Sequence, residues 1–96
     1  MSAFKIEYTG VVKKIILHLT PSLKPLIKSA IELLPTNPYL GKPLQNELFG
    51  LMSYRVKRFR VVYRIMEKTK KIQIIYVGHR KDVYLLMKEL LEKTTQ

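Results

Sequence analysis

Hydrophobic and polar positions alternate with a period of two near the N-terminus, where Phe4, Ile6 and Tyr8 are separated by Lys5 and Glu7. That alternation predicts a half-buried strand over Ala3–Tyr8. The period then lengthens: Val12, Ile15, Ile16 and Leu19 fall at i, i+3, i+4, i+7 and predict a helix over residues 10–19 capped by Thr9. A second helix is expected to start at Thr20-Pro21, with Thr20 as cap and Pro21 at the first helical position. Its apolar stripe runs through Leu23, Leu26, Ile27, Ala30, Ile31 and Leu34, and Leu34-Pro35 ends it. Residues 35–47, PTNPYLGKPLQNE, carry three prolines, a glycine and two asparagines. They read as a loop that crosses between layers.

Alternation returns in Ser53–Ile65, SYRVKRFRVVYRI. A two-residue turn at Lys57 and Arg58 sets Val56 opposite Phe59, Arg55 opposite Arg60, Tyr54 opposite Val61 and Met52 opposite Tyr63. In that register Met52, Tyr54, Val56, Phe59, Val61, Tyr63 and Ile65 form a core face. Arg55, Arg60 and Arg64, around Val62, form a cationic one. Tight turns favour Gly or Asn, and this one has neither. Glu67–Lys71 is a charged turn, followed by a strand over Ile72–Val77 that Gly78 breaks, with His79-Arg80-Lys81 at its exit. Asp82 is placed to cap a last helix from Val83 to about Lys93, with Leu86, Leu90 and Leu91 facing inward. The expected fold is α+β: N-terminal strand, helical hairpin, antiparallel three-stranded meander and C-terminal helix.

At 96 residues the chain has room for a single domain, 1–96, with one core. Charge adds the first functional constraint. Lys and Arg number 18 against seven Asp and Glu, for a net charge of +11. Eight of the cations (Arg55, Lys57, Arg58, Arg60, Arg64, Lys68, Lys70, Lys71) lie between Tyr54 and Lys71 with one acid, Glu67. Clustered charge of one sign points to a polyanionic partner rather than to solubility alone. The chain has no cysteine, which excludes a thiolate nucleophile or a Cys-ligated metal. The start, MSAFKIEY, lacks the apolar run of a signal peptide, and no stretch approaches a membrane span. A cytoplasmic protein without membrane association is the expectation.

GKPLQNELFGLMSYRVKRFRVVYRI from Gly41, followed by IQIIYVGHRKDVY, resembles the RelE/ParE superfamily of type II toxins. The pieces are the Gly-Lys-Pro-Leu loop, Leu-x-Gly-Leu, R-V-x-R-F-R-V-V-Y and V-G-H-R-x-D-V-Y. With the preceding strand and helices in the same order, the resemblance spans essentially the whole chain. It implies a RelE-like fold and a toxin held inactive by a cognate antitoxin. RelE-like members are ribosome-associated endoribonucleases that cut mRNA in the ribosomal A site without a metal or cofactor, whereas ParE-like members inhibit DNA gyrase. Free toxin is expected to be a monomer.

In the RelE-like branch the RNA 2′-hydroxyl attacks the adjacent phosphate. This chemistry needs a base, an acid and fixed cations around the phosphorane. On the motif match, Arg60 takes the place of the phosphate-clamping arginine and Arg80 that of the acid or charge stabiliser. Tyr84 takes that of the tyrosine that stacks on or orients the substrate. Either Arg55 or Lys57 occupies the place of the base, and Lys57 is the better base because arginine does not deprotonate. Arg58, Arg64, His79 and Lys81 are expected to contact RNA phosphates. Lys57 at the turn tip, pointing away, would do no more than that. The resemblance favours the RelE-like branch, since ParE-like members generally lack Arg60, Arg80 and Tyr84 together. A gyrase inhibitor or an inactive antitoxin-binding relative are the rival readings.

Overall fold

The computed structural model describes residues 4–45 and 48–79. Five strands make one sheet: β1 (Lys5–Tyr8), β2 (Lys42–Pro43), β3 (Met52–Val56), β4 (Phe59–Met66) and β5 (Lys71–His79). Their spatial order is β1-β5-β4-β3-β2. β1 runs parallel to β5, and every other pair is antiparallel. The expected meander is therefore present as β3-β4-β5. Pairing at both edges extends it: Lys5–Tyr8 alongside β5, and the two-residue β2 alongside β3. The expected C-terminal helix falls outside the described residues.

Two helices connect β1 to the far edge: α1 (Gly10–Leu17) and α2 (Lys24–Leu33). The Thr9 hydroxyl caps α1 by accepting from the Val12 N–H at 3.4 Å. The second helix begins later than its apolar spacing predicts. Thr20-Pro21 forms a turn, with the Leu23 and Lys24 N–H groups on the Thr20 carbonyl, and the regular helix starts at Lys24 with Pro25 in its first turn. The reason is Pro25 itself. A helix already running from Pro21 would need an N–H at position 25, and proline has none.

Both helices lie on one face of the sheet. Val12, Ile16, Ile27, Ile31 and Leu34 interlock there with Met52, Val61, Tyr63, Ile72, Ile74 and Val77. At the rim of this core the Tyr63 hydroxyl donates to the Pro38 carbonyl at 2.7 Å and accepts from the Gly41 N–H at 3.0 Å. A Cβ at Gly41 would meet the Ser53 carbonyl oxygen at 2.7 Å and the Tyr63 hydroxyl at 2.8 Å. Residue 41 is held to glycine by that approach. The loop over residues 35–47 contains a short 3-10 turn at Pro38–Leu40 as well as β2, and it crosses from the helices to the sheet edge.

β5 runs through Gly78 to His79 rather than breaking at glycine. Gly78 stands opposite Arg60 and His79 opposite Phe59, so the ladder with β4 carries the strand onward. The same ladder slips between Val62 and Tyr63, which pair with Tyr76 and Ile74 and leave Ile75 as a bulge. The bulge lets Ile74 and Val77 both reach the helical core while Ile75 and Tyr76 pack on the opposite side.

Candidate nucleic-acid interface

The hairpin pairs in the register that its alternation predicts: Met52–Tyr63, Tyr54–Val61, Arg55–Arg60 and Val56–Phe59. Arg55, Arg60 and Arg64 consequently share the face turned away from the helices. That face is not an open plate. Leu44, Leu48 and Leu51 fold over it and bury Val62 completely, with Ile75 and Tyr76 alongside. The cover is a short closed loop, in which the Leu44 N–H donates to the Leu51 carbonyl at 2.9 Å. Apolar spacing at residues 44, 48 and 51 was the available signal for this second cluster. It lies hidden in a stretch whose prolines and glycines read as loop.

The cations differ in how firmly the fold holds them. Arg60 is half-buried, and its Nη1 donates to the Ser53 hydroxyl at 3.2 Å. Ser53 is the buried polar residue among those described, at 3% exposure. A guanidinium fixed by a buried hydroxyl is pre-organised to receive an anion, because little of its freedom remains to be lost. Arg55 stands directly across from Arg60 and is exposed; its Nε donates to the Lys57 carbonyl at 3.2 Å. Arg64 is exposed beyond Val62 on the same face.

Lys57 and Arg58 form the turn, both exposed, and Lys57 takes a positive φ of 56°. That backbone region suits glycine or asparagine, so a lysine there carries local strain. The position is the turn tip, beyond the last paired residues of β3 and β4. His79 is placed apart from Arg60: it packs on the Phe59 ring, centroids 4.3 Å apart, and Phe59 belongs to the helix-side core. Arg80, Lys81 and Tyr84 lie outside the described residues. At the β1 side a carboxylate joins the outer face. Glu7 pairs with Lys71 at 3.5 Å and accepts from Gln73 Nε2 at 3.0 Å, which bounds the cationic area.

Chemically the arrangement offers fixed and mobile cations for phosphate groups. Among the described residues no three His, Cys, Asp or Glu converge as metal ligands. No helix among them is long and apolar enough to cross a membrane.

Residues 11–84 match the family described as ParE toxin of type II toxin-antitoxin system, parDE. Two curated proteins of Mycobacterium tuberculosis are similar over shorter stretches. Toxin RelG is 42% identical over 45 residues, covering 47% of this chain and 52% of RelG. Toxin RelE is 45% identical over 49 residues, covering 50% of each. The chain thus spans about half the length of the curated relatives it matches. Among solved structures, the M. tuberculosis RelBE2 toxin–antitoxin complex superposes with a TM-score of 0.73 at 29% identity, over 81% of this chain and 99% of that one. The intact E. coli RelBE complex gives 0.70 at 14% identity, over 80% and 96%, a likeness of fold.

Proposed function

The chain belongs to the ParE toxin family of type II toxin–antitoxin systems, within the RelE/ParE superfamily, and from that premise we propose that it is a ribosome-associated endoribonuclease. The observation that carries the reading is Arg60, half-buried and tied to Ser53 in the middle of an arginine row. It supports a phosphate clamp better than a diffuse cationic surface would. In the proposed reaction the 2′-oxygen forms a bond to phosphorus and the P–O5′ bond breaks. The 2′-OH proton passes to a base and the 5′-oxygen gains one, leaving a cyclic phosphate. Arg60 and Arg80 stabilise the charge that builds on the phosphorane, Tyr84 holds the adjacent base, and Arg55 and Lys57 lie near the 2′-hydroxyl. Arg58, Arg64 and Lys81 contact phosphates further along the strand, whereas His79, packed on Phe59 toward the helix side, takes no part. A cognate antitoxin silences the toxin by covering this face with acidic side chains.

The test is a ribosome-dependent mRNA cleavage assay beside a gyrase supercoiling assay on the same preparation. Cleavage without effect on supercoiling is the expected outcome. Arg60→Ala is expected to lower cleavage by about 100-fold or more. Lys57→Arg separates base from phosphate ligand at the turn tip: it abolishes cleavage if Lys57 takes the proton and preserves it if Lys57 supplies only charge. The family match favours one second reading, inhibition of DNA gyrase, because the matching description is that of a ParE toxin. Inhibited supercoiling with intact mRNA would establish that reading instead.

A further inference from the structure

Among the described residues, one aromatic ring on the outer side of the sheet is left largely in water. Phe49 is 82% exposed, the most exposed large hydrophobic side chain among the described residues, while its neighbours Leu48 and Leu51 are 7% and 3% exposed. The backbone around it is well defined by hydrogen bonds. The Leu51 N–H donates to the Leu48 carbonyl at 3.1 Å, and Gly50 takes φ 95°. These are the marks of a type II turn with Phe49 at its first central position and glycine where a positive φ is required. The turn is anchored on both sides, since Leu48 and Leu51 pack on Val62. Val62 in turn lies between Arg60 and Arg64 on the outward side of β4. A ring left in water is thus carried at a fixed place on the side of the sheet that bears the arginine row.

We propose that Phe49 is a stacking platform for one base of a single-stranded RNA whose phosphates lie on Arg55, Arg60 and Arg64. The inference rests on the RNA reading above and extends it to a residue outside the cleavage machinery. A single-stranded nucleic acid presents anion and flat π-face in alternation, one of each per nucleotide. A cationic row with an aromatic ring beside it answers both, and this combination is how single strands are held without sequence readout. An isolated exposed phenylalanine is unremarkable on a neutral surface. Here its anchored turn and cationic surroundings give it a use.

The chain contains no tryptophan, so Phe49→Trp places a single indole at the site. Its emission is expected to quench when a mixed-sequence single-stranded oligoribonucleotide is titrated into the full chain. Phe49→Ala is expected to weaken binding of the same oligonucleotide about tenfold, with Phe49→Tyr restoring it. Stacking releases no counterions, so the slope of log affinity against log salt stays unchanged in Phe49→Ala. It falls by roughly 0.7 in Arg64→Ala, which removes one phosphate contact. Wild-type affinity in Phe49→Ala, or an unchanged indole signal while anisotropy shows the RNA bound, overturns the platform and leaves the RNA reading standing. No RNA binding by the unaltered chain overturns the platform, and the ribosome-dependent cleavage assay decides the enzymatic reading separately.

Discussion

The two faces of this sheet use the same three strands and come to opposite ends. Toward the helices, alternate residues of β3, β4 and β5 interlock with α1 and α2 into the main core. Toward the outside, among the described residues, their neighbours meet a short leucine-bearing segment, which buries Val62 under Leu44, Leu48 and Leu51 and leaves arginines around the edge. The first face is closed by area. The second is closed just enough to steady Arg60 against Ser53, with Arg55 and Arg64 left in water. The comparison teaches that the small outer cluster leaves its arginines accessible, as the proposed RNA reading requires. Every residue it covered further would be a cation withdrawn from an anionic partner.

The sharpest way to break this comparison is to remove equal chemistry from each side. Ile72 is fully buried in the helix-side core, and Leu48 is 7% exposed in the outer cluster. Ile72→Ala is expected to destabilise the chain by about 3–5 kcal/mol, since close-packed neighbours on both layers cannot collapse into the gap. Leu48→Ala is expected to cost about 2 kcal/mol, the lower end of the range, because a loop can relax. Denaturant midpoints measure both. Equal losses would mean that the outer loop is as much core as the helices are.

Tyr63 ties the helix-side core to the crossing loop through its hydroxyl bonds to Pro38 and Gly41, and gives the next largest effect. Tyr63→Phe leaves those groups without their partner and is expected to cost about 1–3 kcal/mol. It also changes the alkaline limb of stability. Burial raises the Tyr63 phenol above its ordinary 10.0, the Gly41 N–H offsets this in part, and nearby Tyr54 adds to it. The unfolded tyrosine therefore ionises first as pH rises. Above about pH 10 the unfolded chain binds fewer protons than the native one, so the contribution, complete below that value, is lost as pH climbs through the native-state pKa. Tyr63→Phe is expected to lose less stability than the parent between pH 10 and 12, followed by thermal melts. A residual loss remains, because Tyr8 is raised by burial and by Glu32, and Tyr39 by its hydrogen bond to Glu67.

How much of this could be read from the sequence differs between the faces for physical reasons. The hairpin register followed from alternation, because a slip of one residue would have turned Val61 and Tyr63 out to water. The helix stripes followed from spacing, although Pro25 moved the start of the second one. Ile74-Ile75-Tyr76-Val77 shows no alternation, and only its pairing with Val62 and Tyr63 determines where the bulge falls. The leucine cover has a spacing of its own at Leu44, Leu48 and Leu51, but the prolines and glycines around it read as loop and its order comes from contact with β4. The Ser53 anchor for Arg60 was hidden for a similar reason: the bond joins opposite strands, and no local spacing announces it. Candidate cations were legible as residue types; their division into a held one and several free to move was a tertiary fact.

The smallest expected effect concerns the turn at the end of that arginine row. Lys57 at φ 56° carries a left-handed backbone that costs an L-residue roughly 1–2 kcal/mol. Glycine accepts this geometry freely, although the unfolded chain gains freedom with glycine and returns part of the difference. Lys57→Gly is expected to stabilise the chain by about 0.5–1 kcal/mol, a rise of roughly 2–8 °C in Tm. If the hairpin tip serves only to connect two strands, this gain comes without loss, and cleavage and RNA affinity stay at parent values. If the lysine is kept for its side chain, the stabilised variant is the weaker one, binding RNA less tightly at low salt and cleaving more slowly. The second outcome is expected, because strain retained where glycine would relieve it is the trade that a functional position makes.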